Sequence, residues 1–437
     1  MDSTQRLELT APSDCPELDG DGPQQAAVFQ AREDEPAREQ KLSLLLPRND
    51  VMERARKTAD RRLLGIYQTK VPGRGAVPML RTMMTTVCDK ACGYCPFGRT
   101  RDFKRSSWKP EQLADTVIQL KDAGLIQGFF LTSGLATNAS RIMDRMLATA
   151  EILRQRGYAE YLHLKLLPGA DSGQVAQAMR LANRVSVNLE APTQNALHVM
   201  APEKDLVRDL AVHVKTVSDL SRRFPEHAPK GGLVTQFVVG PAGETDATLL
   251  GAASRLYGNH GVRRVYFSGF IPIMGTPMQE SAPTNPMREA RLYQADWLLR
   301  FYGFKLGDLA LNDNGNLPTD IDPKTAFAMA HPELFPLEVN KAPRELLLRV
   351  PGIGPQSVTR ILHARRASAL TCPADLKKLG AVASRAQAYL LFGGHYFPSR
   401  TPARPVEQLK LFEKSLTFGR PLGDGRRIQP ARGGTYV

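Results

Sequence analysis

Cys88-Asp-Lys-Ala-Cys92-Gly-Tyr94-Cys95 places three thiols within eight residues. This Cys-x3-Cys-x2-Cys run supplies three soft ligands and has no close fourth. Four thiolates close a [4Fe-4S] cluster and leave it an electron carrier. Three leave one iron with an open position, where a substrate or cofactor can bind. Structural zinc takes four ligands, usually with His or a second Cys pair. The chain has eight His, and the first is His163, far from the run. Three of only five cysteines at this spacing favour a cluster over zinc or unrelated thiols.

With an aromatic residue, Tyr94, directly before the third cysteine, the run resembles that of the radical S-adenosylmethionine (SAM) superfamily. The resemblance implies a [4Fe-4S] cluster on Cys88, Cys92 and Cys95, whose open iron takes the amino and carboxylate groups of SAM. The reduced cluster then cleaves SAM to methionine and a 5′-deoxyadenosyl radical, which abstracts hydrogen from an unactivated carbon. The cofactors carry this chemistry, and the protein supplies position and shielding. A one-electron reductase such as flavodoxin or ferredoxin is the implied partner.

Further residues make sense against SAM. Most superfamily members carry Gly-Gly-Glu after the second strand, to meet the methionine ammonium; here Thr132-Ser133-Gly134 stands there, without the acid. A hydroxyl and a closely approaching backbone can replace it, since Gly permits the approach; an ordinary strand-to-helix turn explains the residues equally well. Asn188 and Glu190 lie two apart and so on one face of a strand. An amide and a carboxylate together suit a ribose diol, and similar pairs bind the SAM ribose in relatives such as biotin synthase. Gly240 would let the backbone approach the adenine, and Glu244 suits the positive N-terminus of the next helix. His163 and Lys165 share a strand face and could reach the SAM carboxylate or a substrate group, although a lysine snorkelling to the rim is the simpler reading. From Phe97 to Lys109, five cations interleave with three aromatics, which suits a nucleic-acid strand or a solvated loop.

Near the other end, residues 343–366 hold two apolar-faced helical patterns separated by Pro351-Gly352-Ile353-Gly354-Pro355. Pro355 sits well at a helix start. Gly352 and Gly354 expose backbone N–H groups beside a helix N-terminus, an anion site suited to phosphate. Ile353 plugs the hairpin, and Arg360, Arg365 and Arg366 add charge. The segment resembles the helix-hairpin-helix motif, which grips DNA backbone without reading bases. A degenerate second copy follows at Leu379-Gly380-Ala381-Val382.

Short apolar runs alternate with helical patterns to position these groups. Strands are predicted at 79–87, 128–132, 161–167, 184–190, 233–239 and 264–268. Helices are predicted at 110–123, 140–156, 172–182, 205–223, 244–257 and 287–302. Six strand–helix alternations imply parallel strands joined by right-handed crossovers. A barrel and an open sheet share this pattern; the resemblance selects an α/β partial (β/α)6 TIM-like barrel with active groups at the C-terminal strand ends, followed by an all-α helix-hairpin-helix domain.

The resulting organisation is an acidic, disordered tail over 1–45, the radical SAM core over 46–310 and a polar linker over 311–336. The helix-hairpin-helix domain over 337–396 and a basic flexible tail over 397–437 complete it. The net charge is +14, and residues 338–437 hold 17 Lys and Arg against 6 Asp and Glu, which suggests a polyanionic partner. No apolar stretch reaches the eighteen residues of a spanning helix, and no basic region with an apolar core marks a secretory signal. Clustered cysteines fit a reducing compartment, the cytoplasm.

In motif order, residues 75–395 resemble radical SAM proteins with a C-terminal helix-hairpin-helix, described as DNA modification or repair proteins. Phrases such as Leu162-His-Leu-Lys-Leu-Leu-Pro-Gly169 and Met200-Ala-Pro-Glu-Lys204 carry the likeness. It implies work alongside a uracil-DNA-glycosylase-like protein. The expectation is a radical SAM enzyme acting on DNA. The rivals are a tRNA-modifying radical enzyme and a non-enzymatic Fe–S redox sensor that binds DNA.

Overall fold

The computed structural model describes residues 65–71, 75–136 and 138–397. The tails expected at 1–45 and, beyond Phe397, at 398–437 lie outside the described residues.

Seven strands form one sheet in chain order: β1 (Ile66–Val71), β2 (Gly75–Met83), β3 (Gly128–Thr132), β4 (Tyr161–Lys165), β5 (Arg184–Glu190), β6 (Leu233–Val239) and β7 (Arg264–Gly269). β1 and β2 are an antiparallel pair, and β2 to β7 run parallel, each beside its predecessor. Sequential parallel order follows when every crossover is right-handed and places its helix on the same face. The sheet ends at β1 and β7, so it is a curled half-barrel. The six predicted strands are its six parallel ones; the antiparallel edge strand β1 was not foreseen.

The outer face is covered by α1 (Pro110–Asp122), α2 (Ala139–Gln155), α3 (Ser172–Leu181), α4 (Gln194–Met200), α5 (Val212–Arg223), α6 (Asp246–His260) and α7 (Pro286–Phe301). Several starts are fixed by side chains. Asn138 accepts from the Arg141 N–H at 3.0 Å. Asp171 and Gln174 form a reciprocal capping box. The helix expected over 205–223 is divided: Asp205 caps a wider π-type turn at Leu206–Ala211 before α5 begins.

Alternation on β4 sets the logic of the barrel. Leu162 and Leu164 are fully buried, while Tyr161, His163 and Lys165 line the interior cavity. β5 repeats the pattern: Arg184, Ser186 and Asn188 line the cavity between the buried Val185 and Leu189. Polar side chains of these strands therefore reach the interior among apolar ones such as Phe130 and Val187, and an apolar core lies between sheet and helices.

The chain divides into two compact units between His331 and Pro332. The polar stretch expected as a linker is bonded into the first unit. The fully buried Asp246 accepts from the Leu317 N–H at 2.9 Å and from Arg288 at 2.8 Å, and Arg291 donates to the Thr319 carbonyl. Helix α8 (Pro323–Ala330) follows with Phe327 buried. Polarity here satisfies a buried carboxylate rather than solvating a tether.

The second unit contains β8 (Leu337–Glu338), α9 (Arg344–Leu347), α10 (Pro355–Ala367), α11 (Pro373–Lys378), α12 (Ala383–Ala386), β9 (Leu390–Phe392) and β10 (His395–Tyr396). The three short strands form a sheet in the order β10-β9-β8, so this unit is not all-α as expected. Leu347, Val350, Ile353, Val358, Ile361 and Leu376 are its buried apolar centre. Its two turns are related: Gly352 and Gly380 both adopt left-handed backbone, with φ of 81° and 79°. They face one another through bonds, since the Val382 N–H donates to the Gly352 carbonyl at 2.9 Å and Ser357 Oγ to the Gly380 carbonyl at 2.8 Å.

Candidate active site

The cysteines lie in the segment that follows β2, and several bonds hold that segment against the barrel mouth. Asp89 N–H donates to the Leu135 carbonyl and Gly93 N–H to the Met200 carbonyl, both at 2.7 Å. Arg105 acts as a clasp: its guanidinium donates to the carbonyls of Thr86, Phe97, Gly98 and Arg101, and stacks 3.8 Å from the Phe103 ring centroid. Residues 97–109, which suit a nucleic-acid strand or a solvated loop, are thus partly committed to the fold. Arg105 is spent on the loop's own backbone, Arg101 donates to the Pro96 carbonyl, and Arg99 pairs with Glu203 at 2.8 Å. Of the five cations, Lys104 and Lys109 stay exposed without an ion pair among the described residues.

All three cysteines line one cavity of about 240 Å³ enclosed by the half-barrel. Tyr94, Ser133, Gly134, Asn188 and Glu190 line it too, so of the residues expected to hold cluster and cofactor only Gly240 does not. Burial first, then the neighbouring charges of Glu190 and Cys92, raise the Tyr94 phenol well above its ordinary range. Burial raises the Cys92 thiol, and pushes Cys95 up to about 12. A bound metal overcomes such a shift by coordinating the thiolate outright.

Glu190 reaches the cavity in an unforeseen way. Plain alternation fails here: the register with β6 slips between Asn188 and Glu190, and Glu190 has a left-handed φ of 65°. A bulge of this kind re-aims a side chain, and strained backbone of this kind clusters at functional sites. Its carboxylate lies 3.6 Å from Lys204 Nζ, with both side chains more than nine-tenths buried. The second oxygen, Oε2, is buried with no hydrogen-bond partner among the described residues. Burial pulls the Lys204 ammonium down, but Cys92, Glu190 and Cys95 outweigh it and raise it overall.

Ser133 and Gly134 have structural duties as well. Ser133 Oγ accepts from the Thr85 N–H at 3.3 Å, and the Gly134 N–H donates to the Thr85 carbonyl at 2.8 Å. A Cβ on Gly134 would stand 2.2 Å from the Val87 carbonyl oxygen, so the close approach is made by the cysteine-bearing segment. The left-handed Gly240, φ 108°, instead packs on Thr284, whose Oγ1 would lie 2.2 Å from a Cβ. Its N–H donates to Glu244, which corrects the placing of that acid at the next helix's N-terminus.

Sequence reasoning missed Arg81, Arg184, Lys204, Gln236 and Tyr266 as cavity residues and favoured the rim for Lys165, which lines the cavity. The signal was present in the period-two spacing of Arg184, Ser186, Asn188 and Glu190, which alternation read only at its Asn188 and Glu190 end.

The three thiols fit an iron–sulfur cluster better than one ion. Among the described residues, no three His, Cys, Asp or Glu side chains converge as a single metal ion requires. A [4Fe-4S] cluster takes each thiolate on a different iron, which suits three cysteines spread around one cavity. The orphaned Glu190 Oε2, with Asn188 beside it, provides polar atoms for a further ligand.

Comparison with known proteins agrees. Residues 82–256 match the Radical SAM superfamily. No curated protein matches the chain. Among solved structures, the chain is similar to the FeFe-hydrogenase maturase HydG from Carboxydothermus hydrogenoformans, at 11% identity over 51% of each chain with a TM-score of 0.41. It is also similar to a second HydG structure, a maturase of the [FeFe]-hydrogenase, at 10% identity over 63% of this chain and 66% of that one, with a TM-score of 0.41. Methylornithine synthase (PylB) is similar at 15% identity, over 61% of this chain and 74% of that one, with a TM-score of 0.38. The matched part thus spans about half the length of the first of these proteins. Among the described residues, no helix is long and apolar enough to cross a membrane. Residues 82–256 therefore match a radical SAM domain, and the cofactors of that family are a [4Fe-4S] cluster and SAM.

Proposed function

We propose that the enzyme acts on DNA, with the half-barrel generating the radical and the second unit, as a helix-hairpin-helix domain, holding backbone phosphate. Cys88, Cys92 and Cys95 hold the cluster, Asn188 and Glu190 the SAM ribose, and Tyr94, Ser133 and Gly134 line the cofactor's space. Bound, the reduced cluster supplies reductive cleavage of SAM. A flavodoxin- or ferredoxin-like protein delivers the electron, and a uracil-DNA-glycosylase-like protein is the expected companion in the cytoplasm.

The observation that supports the DNA reading is the head of α10. This 13-residue helix has no side-chain cap and no acid in its first turn. The Gly354 N–H before it has no partner among the described residues. Such an end favours an oxyanion, in a region carrying 17 cations against 6 acids. Arg360 is exposed on the same helix. The contributions of Gly352 and Ile353 are narrower than the motif suggests. Ile353 is buried, and a Cβ on Gly352 would lie 2.6 Å from the Val382 carbonyl oxygen, so both shape the turn.

Anaerobic reconstitution should give about four irons per chain and turn SAM into 5′-deoxyadenosine. Gly354→Glu should abolish salt-dependent binding to duplex DNA; an unchanged affinity rejects the phosphate role. Competition by tRNA stronger than by duplex DNA would reassign the substrate to RNA.

A further inference from the structure

The inner wall of the half-barrel holds more positive charge than the cluster and its ribose-facing residues use. The strand register sets Arg81 beside Phe130, Phe130 beside His163, and His163 beside Arg184. Lys165 and Ser186 form the next rung toward the C-terminal strand ends. Arg81, His163, Lys165 and Arg184 all line the cavity that the cysteines line. The one carboxylate among that lining is Glu190, and Lys204 already holds it at 3.6 Å.

Lys165, Arg184 and His163 keep bonding capacity. Lys165 Nζ makes no hydrogen bond or ion pair with any described residue. Arg184 donates Nε to the Gly231 carbonyl at 3.0 Å, and its terminal nitrogens bond no described residue. His163 Nε2 is buried without a partner among the described residues. The surrounding rings are fixed, with Phe130 and His163 centroids 4.4 Å apart and the Arg184 guanidinium 5.9 Å from the Tyr161 ring. Buried cations without counter-charge are costly, and a partner of opposite charge offsets that cost. His163 has Arg184, Arg81 and Lys165 as its charged neighbours, whereas Lys165 feels Glu190 first, a carboxylate it shares with Lys204, and then Cys95 and Cys92. The group therefore begins at Lys165, near the cysteines, and runs through His163 and Arg184 toward Arg81 along the same wall.

We propose that this cationic floor receives an oxyanion of the substrate, a phosphate or a carboxylate, with Lys165 and Arg184 as its direct ligands and His163 as a further contact. The proposal rests on the radical SAM reading of the cavity and adds a substrate class to it. On the DNA reading, the oxyanion is a phosphate of the nucleotide presented to the cluster. Arginine and lysine together suit such a group, the first by its planar fork and the second as a point charge.

The test uses the reconstituted, reduced full chain with SAM, and reads the electron paramagnetic resonance signal of the cluster during titration. The probes are inorganic phosphate, citrate, deoxyadenosine 5′-monophosphate and deoxyadenosine. Expected is a saturable change with phosphate or citrate, the responsive one naming the source. If phosphate responds, the nucleotide should bind at least tenfold tighter than the nucleoside. Lys165→Met and Arg184→Met should each weaken the responsive anion at least tenfold, more than either weakens SAM. Because a variant can fail to fold, the wild-type preference for the anions decides independently. No response to either anion, or variants that lose SAM and anion affinity by the same factor, would overturn the proposal. Formation of 5′-deoxyadenosine is followed in the same samples. Its absence overturns the underlying radical SAM reading, whereas its presence without an anion response sinks only the cationic floor.

Discussion

The half-barrel and the second unit treat their polar groups in opposite ways. In the half-barrel the fold buries polar atoms and leaves them with bonding capacity: Glu190 Oε2 and His163 Nε2 lack partners among the described residues, and Lys165 has no ion pair there. In the second unit, residues that resemble a phosphate-gripping motif are largely consumed by the fold itself. Ile353 is 1% exposed, Gly352 lies against Val382, and Arg365 donates to the carbonyls of Val339 and Ala342 at 3.0 and 2.7 Å. What remains available among the described residues is the Gly354 N–H and the exposed Arg360 and Arg366. Residue type thus nominates a site, and unspent bonding capacity identifies which atoms of it face a ligand.

This contrast can be broken by substitution. The largest effect belongs to Cys92→Ala. It should remove most of the reconstituted iron and lower 5′-deoxyadenosine formation by more than a hundredfold; iron retention near the wild-type level would contradict three-thiolate ligation. Next is Gly134→Ala, whose Cβ would stand 2.2 Å from the Val87 carbonyl oxygen, immediately before Cys88. Overpacking backbone against backbone should cost about 3 kcal/mol or more and displace the cysteine segment, seen as a lowered Tm with reduced iron uptake.

Lys204→Met should follow, because it leaves the Glu190 carboxylate buried without its partner. A penalty of about 3 kcal/mol is expected in denaturant unfolding, with recovery in Lys204→Met/Glu190→Gln. Absence of that recovery would mean the pair is not what stabilises the strained turn.

The smallest effect is pH-dependent. Glu289 accepts from the Gly269 N–H at 3.0 Å, yet burial pushes its carboxyl up to about 8, and Oε1 has no partner among the described residues. Between the unfolded carboxyl range near 4.5 and this folded value, the native state binds more protons than the unfolded state, so stability falls as pH rises through the window. Glu289→Gln should remove that slope and leave the variant more stable than wild type at pH 8, by up to a few kcal/mol. Parallel Tm-against-pH curves for the two proteins would show that Glu289 does not titrate there.

Much of this was legible in the chain. The Cys-x3-Cys-x2-Cys spacing foretold three thiols in one cavity because chain-local thiols need only one loop to bring them there. The six parallel strands were legible because short apolar runs recur between helical patterns at regular intervals. Asn188 and Glu190 were read as cavity residues by alternation, and both are, but Glu190 arrives through a bulge that alternation does not encode.

Local pattern determined what each segment is: thiol loop, strand, helix, glycine turn. Tertiary structure decided which polar atoms stay unspent. The polar run after Phe304 became part of the first unit because Asp246, 70 residues earlier, needed its Asn316. In the five-cation loop, Arg105 turned inward because four carbonyls needed its guanidinium. Lys165 and Arg184 became neighbours in one chamber only when β4 and β5 paired. Each decision rests on a partner distant in sequence or on backbone curvature. Burial makes such partners decisive, because a polar group withdrawn from water must find its bond within the fold or within a ligand.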